Sequence, residues 1–206
     1  MAFCAQRHDS NGGVMQETSD FPSLANHFLV AMPKLQDPNF EKTVTLICEH
    51  NKEGAIGIII NRPMETLKLS DILSELEIKK DQGSLVSDDH VYIGGPVHNE
   101  LGLVLHAGTG DWDSTLRIGP DLGLTSSRDV LESMATGDGP SRALLSLGYA
   151  GWAPCQLESE IHQNSWLTVK ADPEIIFSIP VDTRWQQAIE SMGLNPARLS
   201  SQMGHA

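Results

Sequence analysis

The chain has 206 residues, of which 40% are hydrophobic and 5% aromatic, and its formal net charge is −13 at pH 7. No apolar run approaches the ~20 residues that a membrane-spanning helix requires, so we expect a globular protein without membrane association. The charge also disfavours direct binding to nucleic acid, because phosphate contacts require several aligned basic side chains. Here the only adjacent basic pair is Lys79–Lys80.

The N-terminal segment differs in composition from the rest of the chain. Residues 1–23 are polar and contain a Gly12–Gly13 pair, which predicts a disordered extension ahead of a single domain over residues 24–206. Arg7 and His8 are followed by polar residues and not by the apolar run of a signal peptide. We therefore expect a cytoplasmic protein.

The predicted domain opens with strands. Residues 27–31 (HFLVA) predict the first, and the alternating pattern of residues 43–48 predicts the second. A short polar loop leads from there to residues 55–60, which are apolar throughout, so the second and third strands are expected to be antiparallel.

Helices and short strands follow in the middle of the chain. Leu69, Ile72, Leu73 and Leu76 recur at helical spacing, with Ser70 as the predicted N-cap. A polar loop is predicted over residues 79–89. Short strands are predicted at residues 91–93, 101–105 and 116–118.

Two further helices are marked by their end signals. Ser126 and Asp129 resemble a capping box that opens a helix, and Gly137 can close it. Thr183 and Gln186 predict another capping box near the C-terminus, ahead of a helix and a short helical turn after residue 196. Between them, residues 166–170 predict a strand, whereas residues 173–179 carry no decisive pattern.

The segment over residues 143–167 links three different patterns. Residues 143–147 are almost wholly apolar, which is typical of a strand buried on both faces. Gly148 and Gly151 then predict a sharp turn, or a close approach to another part of the chain, before a helix that begins near Pro154. We expect this glycine turn to form a recess and to be the centre of any functional site.

Strands occur in groups, with helices between the groups, and this order indicates an α+β fold in a single domain. The motifs GYAGW at residues 148–152 and QLE at 156–158 resemble the YqgE/AlgH family of bacterial proteins. Further matches are LANHFLVAMPKLQDPNF, CEHNKEGAIGIIINRP, GGPV, LVLH, TSSRDVLE, RWQQAI and the closing GHA, in one order from residue 24 to residue 206. The resemblance implies a mixed, bifurcated β-sheet, partly barrel-like, surrounded by helices.

The segments at residues 61–63, 94–96 and 148–152 fall at predicted strand ends, where polar groups and free backbone N–H groups commonly line pockets. One interpretation is that Arg62 or Arg128 binds an anionic ligand or partner. The alternative is that Arg128 forms a surface pair with Asp129. The predicted ligand- or partner-binding residues are Asn61, Arg62, Gly94, Gly95, Arg128, Tyr149, Gly151, Trp152, Gln156 and Glu158.

We expect no metal, no cofactor and no catalytic residue. Cys48 and His50 are two residues apart but lack a third ligand nearby, and no phosphate-binding loop is present. Glu158 and Glu160 point about 200° apart around a helix, so they cannot act on one substrate atom together.

Three functions remain open. The first is a regulatory protein that binds a small molecule or a protein partner and affects transcription indirectly, as the family resemblance implies. The second is an enzyme that uses the same pocket, with Arg62, Arg128, Gln156 and Glu158 as its polar groups. The third is a direct DNA-binding regulator, which the charge disfavours. The sequence leaves the oligomeric state open.

Overall fold

The computed structural model describes residues 22–79, 81, 90–108 and 110–201. Almost all of the predicted N-terminal extension and most of the predicted polar loop at residues 79–89 lie outside the described residues. The strands are β1 (His27–Ala31), β2 (Val44–Asn51), β3 (Gly54–Ile59), β4 (Pro63–Lys68), β5 (His90–Ile93), β6 (Val97–Ala107), β7 (Thr115–Ile118), β8 (Leu122–Thr125), β9 (Ala143–Trp152) and β10 (Trp166–Lys170). The helices are α1 (Leu69–Glu75), α2 (Arg128–Thr136), α3 (Gln156–His162), α4 (Pro173–Phe177), α5 (Arg184–Glu190) and α6 (Pro196–Ser201).

The sheet divides at β9. Along one path the strand order is β10-β1-β2-β3-β9-β6-β8-β7, and β2 and β3 are antiparallel as predicted. One edge of β9 is antiparallel to β6. On its other edge, residues 150–152 are antiparallel to β3, whereas Ser146 and Leu147 pair in parallel with β5. Because two different strands share that edge, the predicted mixed, bifurcated sheet is confirmed.

The sheet also curls. Gly119, in the turn between β7 and β8, lies against the side chain of Asn26, just before β1. Phe28 of β1 and Ile118 of β7 belong to one buried cluster, although their strands are far apart in the sheet order. These contacts close the sheet into a half-barrel with helices around it. The predicted α+β class, with a partly barrel-like sheet, is confirmed.

Three apolar clusters hold the elements together. The largest fills the curled sheet and includes Leu46, Ile58 and Leu105, with α4 and α5 packed on it through Ile176 and Ile189. A second cluster packs α3 against β9 and β10, and a third packs α1 and α2 against β5, β6 and β9. Burial of these faces is the main favourable term in the folding of the sheet.

The predicted glycine turn at Gly148 is wrong, because β9 continues without a break to Trp152. Gly148 has φ 71°, a left-handed conformation that favours glycine. A Cβ atom there would lie 2.7 Å from the carbonyl oxygen of Gly95 and 2.9 Å from that of Val97. The structure therefore supports the alternative prediction for Gly148, which was a close approach to another part of the chain.

The helix-end predictions succeeded only in part. Gly137 closes α2 in a left-handed conformation, as predicted, but the N-cap position of α2 is Ser127 and not Ser126, and the Ser127 side chain makes no capping hydrogen bond. Ser70 lies inside α1, which begins one residue earlier, at Leu69. Thr183 is the N-cap of α5, but its side chain makes no capping hydrogen bond, and its hydroxyl donates instead to the carbonyl of Pro180 at 2.9 Å.

Some elements were not predicted. Strands β4 and β8 are new, and the unassigned residues 173–179 contain α4. The carboxylate of Asp172 caps α4 by accepting a hydrogen bond from the backbone N–H of Glu174 at 2.9 Å. An aspartate followed by proline at the first helical position is a regular start signal.

Candidate functional site

An open groove of about 480 Å³ runs over the outer surface of β3 and β9, and we call it the β3–β9 groove. Its apolar part comes from Ile56, Val97, Tyr149 and the backbone around Gly151. Ile56 and Gly151 are direct partners across the two strands. Because Gly151 has no side chain, the space beside Ile56 stays open, and Ile56 is 37% exposed.

The rim of the β3–β9 groove is acidic. Glu49 and Glu53 lie at the end formed by the β2–β3 hairpin. Asn51 orders this end, since its amide donates to Glu49 at 2.8 Å and its side-chain oxygen accepts from the backbone N–H of Glu53 at 2.8 Å. Both carboxylates are exposed, so they present negative charge beside an apolar floor.

A bulge in β6 forms the opposite side of the groove. Val97 pairs with Tyr149, but the next pair is Gly102 with Leu147, so residues 98–101 protrude from the ladder. His98 at the start of this bulge stacks on Tyr149, with ring centroids 5.9 Å apart. Bulges of this kind re-aim side chains next to binding sites.

A second groove of about 280 Å³ lies beside Arg62, and we call it the Arg62 groove. Ile59, Met64, Ile93 and Leu147 supply its apolar lining, and Gly95 is also part of it. The guanidinium of Arg62 donates to the carbonyls of Pro38 at 2.6 Å and Glu41 at 3.1 Å. Arg62 therefore fastens the segment before β2 while it lines this groove.

Two other predicted site residues connect backbone segments. Asn61 accepts from the backbone N–H of Val44 at 2.8 Å and donates to the carbonyl of Lys42 at 2.9 Å. Gly94 accepts from the N–H of Ile59 and donates to the carbonyl of Leu147, both at 2.8 Å. A Cβ atom on Gly94 would collide with the carbonyl oxygen of Gly148.

The polar residues of α3 do not line the β3–β9 groove. Gln156 accepts from the N–H of Ala153 at 2.9 Å and donates to Glu160 at 2.9 Å. Glu158 lies 3.0 Å from Nε2 of the buried His50. Since Nδ1 of His50 accepts from the backbone N–H of Leu24, Nε2 carries the proton that it donates to Glu158.

Glu158 and Glu160 contact different partners, in agreement with the prediction that they point in different directions around the helix. Oε2 of Glu160 accepts the indole N–H groups of Trp152 and Trp166. Glu160 was not among the predicted site residues, because its two partners lie on different strands.

Arg128 stands apart from both grooves. It lies at the start of α2, and its Nε donates to Glu132 at 2.7 Å, one turn further along the helix. Its partner is therefore Glu132 and not Asp129, and both side chains are more than half exposed. An exposed pair of this kind contributes little to stability.

The predicted site residues thus fall into separate places. Tyr149, Gly151 and Trp152 meet at the β3–β9 groove, and Arg62 and Gly95 line the Arg62 groove. The other five, Asn61, Gly94, Arg128, Gln156 and Glu158, line neither groove. Glu49, Glu53, Ile56 and Val97 were not among the predicted residues, because only the pairing of β2 with β3 and of β3 and β6 with β9 brings them together.

Within residues 22–79, 81, 90–108 and 110–201, no group of three or more His, Cys, Asp or Glu side chains is arranged to hold a metal ion. Cys48 is a buried free thiol, 2% exposed, and burial raises its pKa far above the ordinary value. In the same part of the chain, no helix is both long and apolar enough to cross a membrane.

Comparison with known proteins places this fold and sequence in one family. A family model described as AlgH-like matches residues 28–197. The chain belongs to the YqgE/AlgH family. It is 52% identical over 187 residues to a UPF0301 protein of Methylococcus capsulatus, an alignment that covers 91% of this chain and 98% of the relative. It is 46% identical over 202 residues to a UPF0301 protein of Saccharophagus degradans, covering 97% and 96% of the two chains.

Two solved structures agree with the fold. The solution structure of the AlgH protein from Pseudomonas aeruginosa superposes with a TM-score of 0.73 at 43% identity, covering 93% of this chain and 100% of that one. A crystal structure of a protein from Corynebacterium diphtheriae, 21% identical, superposes with a TM-score of 0.67 over 85% and 88% of the two chains. The latter comparison shows a shared fold.

Proposed function

We propose that this YqgE/AlgH-family protein is a non-catalytic binding protein and that its β3–β9 groove receives a protein partner. The main support is that the groove combines an exposed apolar floor, at Ile56 and Tyr149, with an acidic rim at Glu49 and Glu53. The partner segment that fits this groove presents an apolar or aromatic side chain flanked by Lys or Arg.

The shape of the groove favours a macromolecular ligand over a small one. It is open to solvent, whereas small ligands are usually enclosed over most of their surface. Tyrosine is enriched among the residues that dominate protein interfaces, because a large rigid ring contributes contact area at little entropic cost. Tyr149 is half-buried, and the ring of His98 lies against it with centroids 5.9 Å apart.

Charge supports a basic partner. The net charge of −13 and the carboxylates of Glu49 and Glu53 attract positively charged segments and raise their rate of encounter. The same field repels nucleic acid. A regulatory effect on transcription, which the family resemblance implies, would be exerted in the cytoplasm through such a protein partner.

Selection from a displayed peptide library tests the proposal. The wild-type protein should retain peptides that combine an aromatic or aliphatic residue with Lys or Arg, and salt should weaken their binding. The Ile56→Asp variant places a charge on the groove floor and should lose these peptides. Glu53→Lys should weaken binding about tenfold by reversing one rim charge.

A matched control separates the groove from general surface charge. Glu132→Lys reverses a carboxylate on α2, outside both grooves, and should leave peptide binding unchanged. If the selected peptides bind Ile56→Asp as tightly as the wild type, or bind Glu132→Lys as weakly as Glu53→Lys, the proposed groove is not the binding site.

A further inference from the structure

A third cavity, of about 210 Å³, lies on a different part of the molecule, where α1, α2, α4 and α5 meet β5 and β9. It is more enclosed than the β3–β9 groove and shares none of its lining residues. Its polar lining comes from His90, Tyr92 and Arg184, and its apolar walls include Leu144, Ile176 and Phe177. We call it the Arg184 cavity.

Arg184 is a buried cation, 6% exposed. Within residues 22–79, 81, 90–108 and 110–201, no carboxylate oxygen lies within 4.0 Å of its guanidinium. Buried arginine is rare without a carboxylate partner, because removing a charge from water is unfavourable unless an opposite charge compensates it. Burial lowers the pKa of Arg184 from its ordinary value, which reflects the same desolvation.

Two backbone carbonyls hold the guanidinium in place. Nε donates to the carbonyl of Ile179 at 3.0 Å, and Nη1 donates to the carbonyl of Ile60. The guanidinium carbon lies over the ring of Tyr92, 5.5 Å from its centroid. These contacts fix the orientation of Arg184 but leave its charge without an anion in the described part of the chain.

We propose that the Arg184 cavity binds a small carboxylic acid with an apolar body. The carboxylate lies against the guanidinium of Arg184, and the apolar body packs on Leu144, Ile176 and Phe177. Charge-assisted hydrogen bonds between guanidinium and carboxylate are strong and directional. A cavity of 210 Å³ is smaller than the ~300 Å³ at which drug-sized ligand sites begin, so the ligand is small.

The charge balance favours a monocarboxylate. One buried guanidinium compensates one negative charge, and a phosphate dianion would bring a second charge into a largely apolar enclosure. His90 is exposed at the edge of the cavity and is the side chain placed to contact the ligand from the solvent side.

Calorimetry and thermal unfolding with sodium hexanoate and sodium benzoate test this site. Both salts should raise the unfolding temperature of the wild type above that in sodium chloride of equal ionic strength, because they bind the folded chain. 1-Hexanol has a similar apolar body without the charge and should bind about tenfold more weakly or worse. Inorganic phosphate should have no larger effect than chloride.

Three variants test whether the carboxylates bind in the Arg184 cavity. Arg184→Gln should weaken hexanoate binding by about tenfold or more, whereas Arg128→Gln, which removes an exposed arginine on α2, should not change it. Ala143→Leu adds bulk to the lining without removing a contact of Arg184, so it should weaken hexanoate binding by about tenfold or more as well. This variant decides the question if Arg184→Gln does not fold.

The proposal is overturned if neither carboxylate stabilises the wild type at 20-fold molar excess and above, or if both still bind Ala143→Leu with unchanged affinity. Stronger stabilisation by phosphate than by hexanoate would also overturn it. None of these outcomes bears on the β3–β9 groove, since the two sites share no residue.

Discussion

Trp152 and Trp166 donate their indole N–H groups to the same oxygen atom, Oε2 of Glu160, at 3.0 and 2.8 Å. The two rings lie on different strands and meet edge to face with centroids 6.1 Å apart. Both are almost fully buried, at 5% and 3% exposure. One carboxylate on α3 therefore satisfies two buried donors and fixes the helix on the sheet.

Replacing that carboxylate should be costly for stability. Glu160→Ala leaves two buried N–H groups without an acceptor, and we expect it to lower the free energy of unfolding by about 2–4 kcal/mol. Urea denaturation measures the change. Glu160→Gln keeps an acceptor oxygen and should lose less, and the exposed Glu132→Ala should change stability by about 0.5 kcal/mol or less. Equal losses for Glu160→Ala and Glu132→Ala would show that the indole hydrogen bonds do not stabilise the fold.

Gly148 and Gly193 form a matched pair, because both have φ 71°. A Cβ atom on Gly148 would lie within 3 Å of two carbonyl oxygens, whereas one on Gly193 would have nothing within 4 Å. Gly193→Ala should lower the free energy of unfolding by about 1–2 kcal/mol through backbone strain. Gly148→Ala should lower it by about 2 kcal/mol more, because crowded backbone must move. Chemical denaturation measures the free energy of unfolding of both variants. Similar losses for the two would mean that the start of β6 moves away from the added Cβ atom at little cost.

His106 should make stability depend on pH. It is completely buried, its Nε2 lies 2.9 Å from the hydroxyl of Thr125, and burial lowers its pKa from the ordinary value of 6.5. The unfolded chain takes up a proton near that ordinary value while the folded chain does not. At pH values above 6.5, the ordinary pKa, this difference has no effect on stability. As the pH falls below that value toward the lowered pKa of the folded protein, stability is lost.

The test compares the wild type with His106→Gln at pH 7.5 and pH 5.5. The variant should be less stable at the higher pH, but its urea midpoint should fall less on acidification, because it lacks this titrating group. If both proteins lose the same stability between the two pH values, His106 does not contribute to the acid sensitivity.

Cys48 should resist modification in the folded protein. Its thiol is 2% exposed, it donates to the carbonyl of Leu46 at 3.6 Å, and burial raises its pKa. Since the thiolate is the reactive form, iodoacetamide at pH 8 should label this residue only when the chain unfolds. Mass spectrometry of the Cys48 peptide across a urea series should follow the unfolding curve. Labelling that is complete in the absence of urea would contradict the buried position.

Much of the fold could be predicted because its elements carry strong local patterns. The apolar run at residues 27–31 became β1 with the same bounds, and the hairpin between β2 and β3 followed from two apolar segments and a short polar loop. The prediction failed where a glycine serves a contact that is distant in sequence. Gly148 carries the signal of a turn, but the space it vacates is filled by the backbone of Gly95 and Val97.

The candidate sites were less accessible to sequence reasoning. Tyr149, Gly151 and Trp152 were found because they lie in one motif, but Ile56 reaches them only through the pairing of β3 with β9. Arg184 was missed, although its position four residues before the buried Ala188 places it on the inner face of α5. A charged residue at such a position is a usable signal for a buried cation.

The central position of β9 has a consequence for the growing chain. This strand joins β3, β5 and β6, yet it begins only at Ala143, after all three of them have been made. Until it is synthesised, β3 and β6 each have one open edge, and the apolar residues of β3 face no neighbour there. Open strand edges pair readily with other chains. Nascent or truncated chains that end before Ala143 should therefore aggregate more readily than the complete protein and depend more on chaperones.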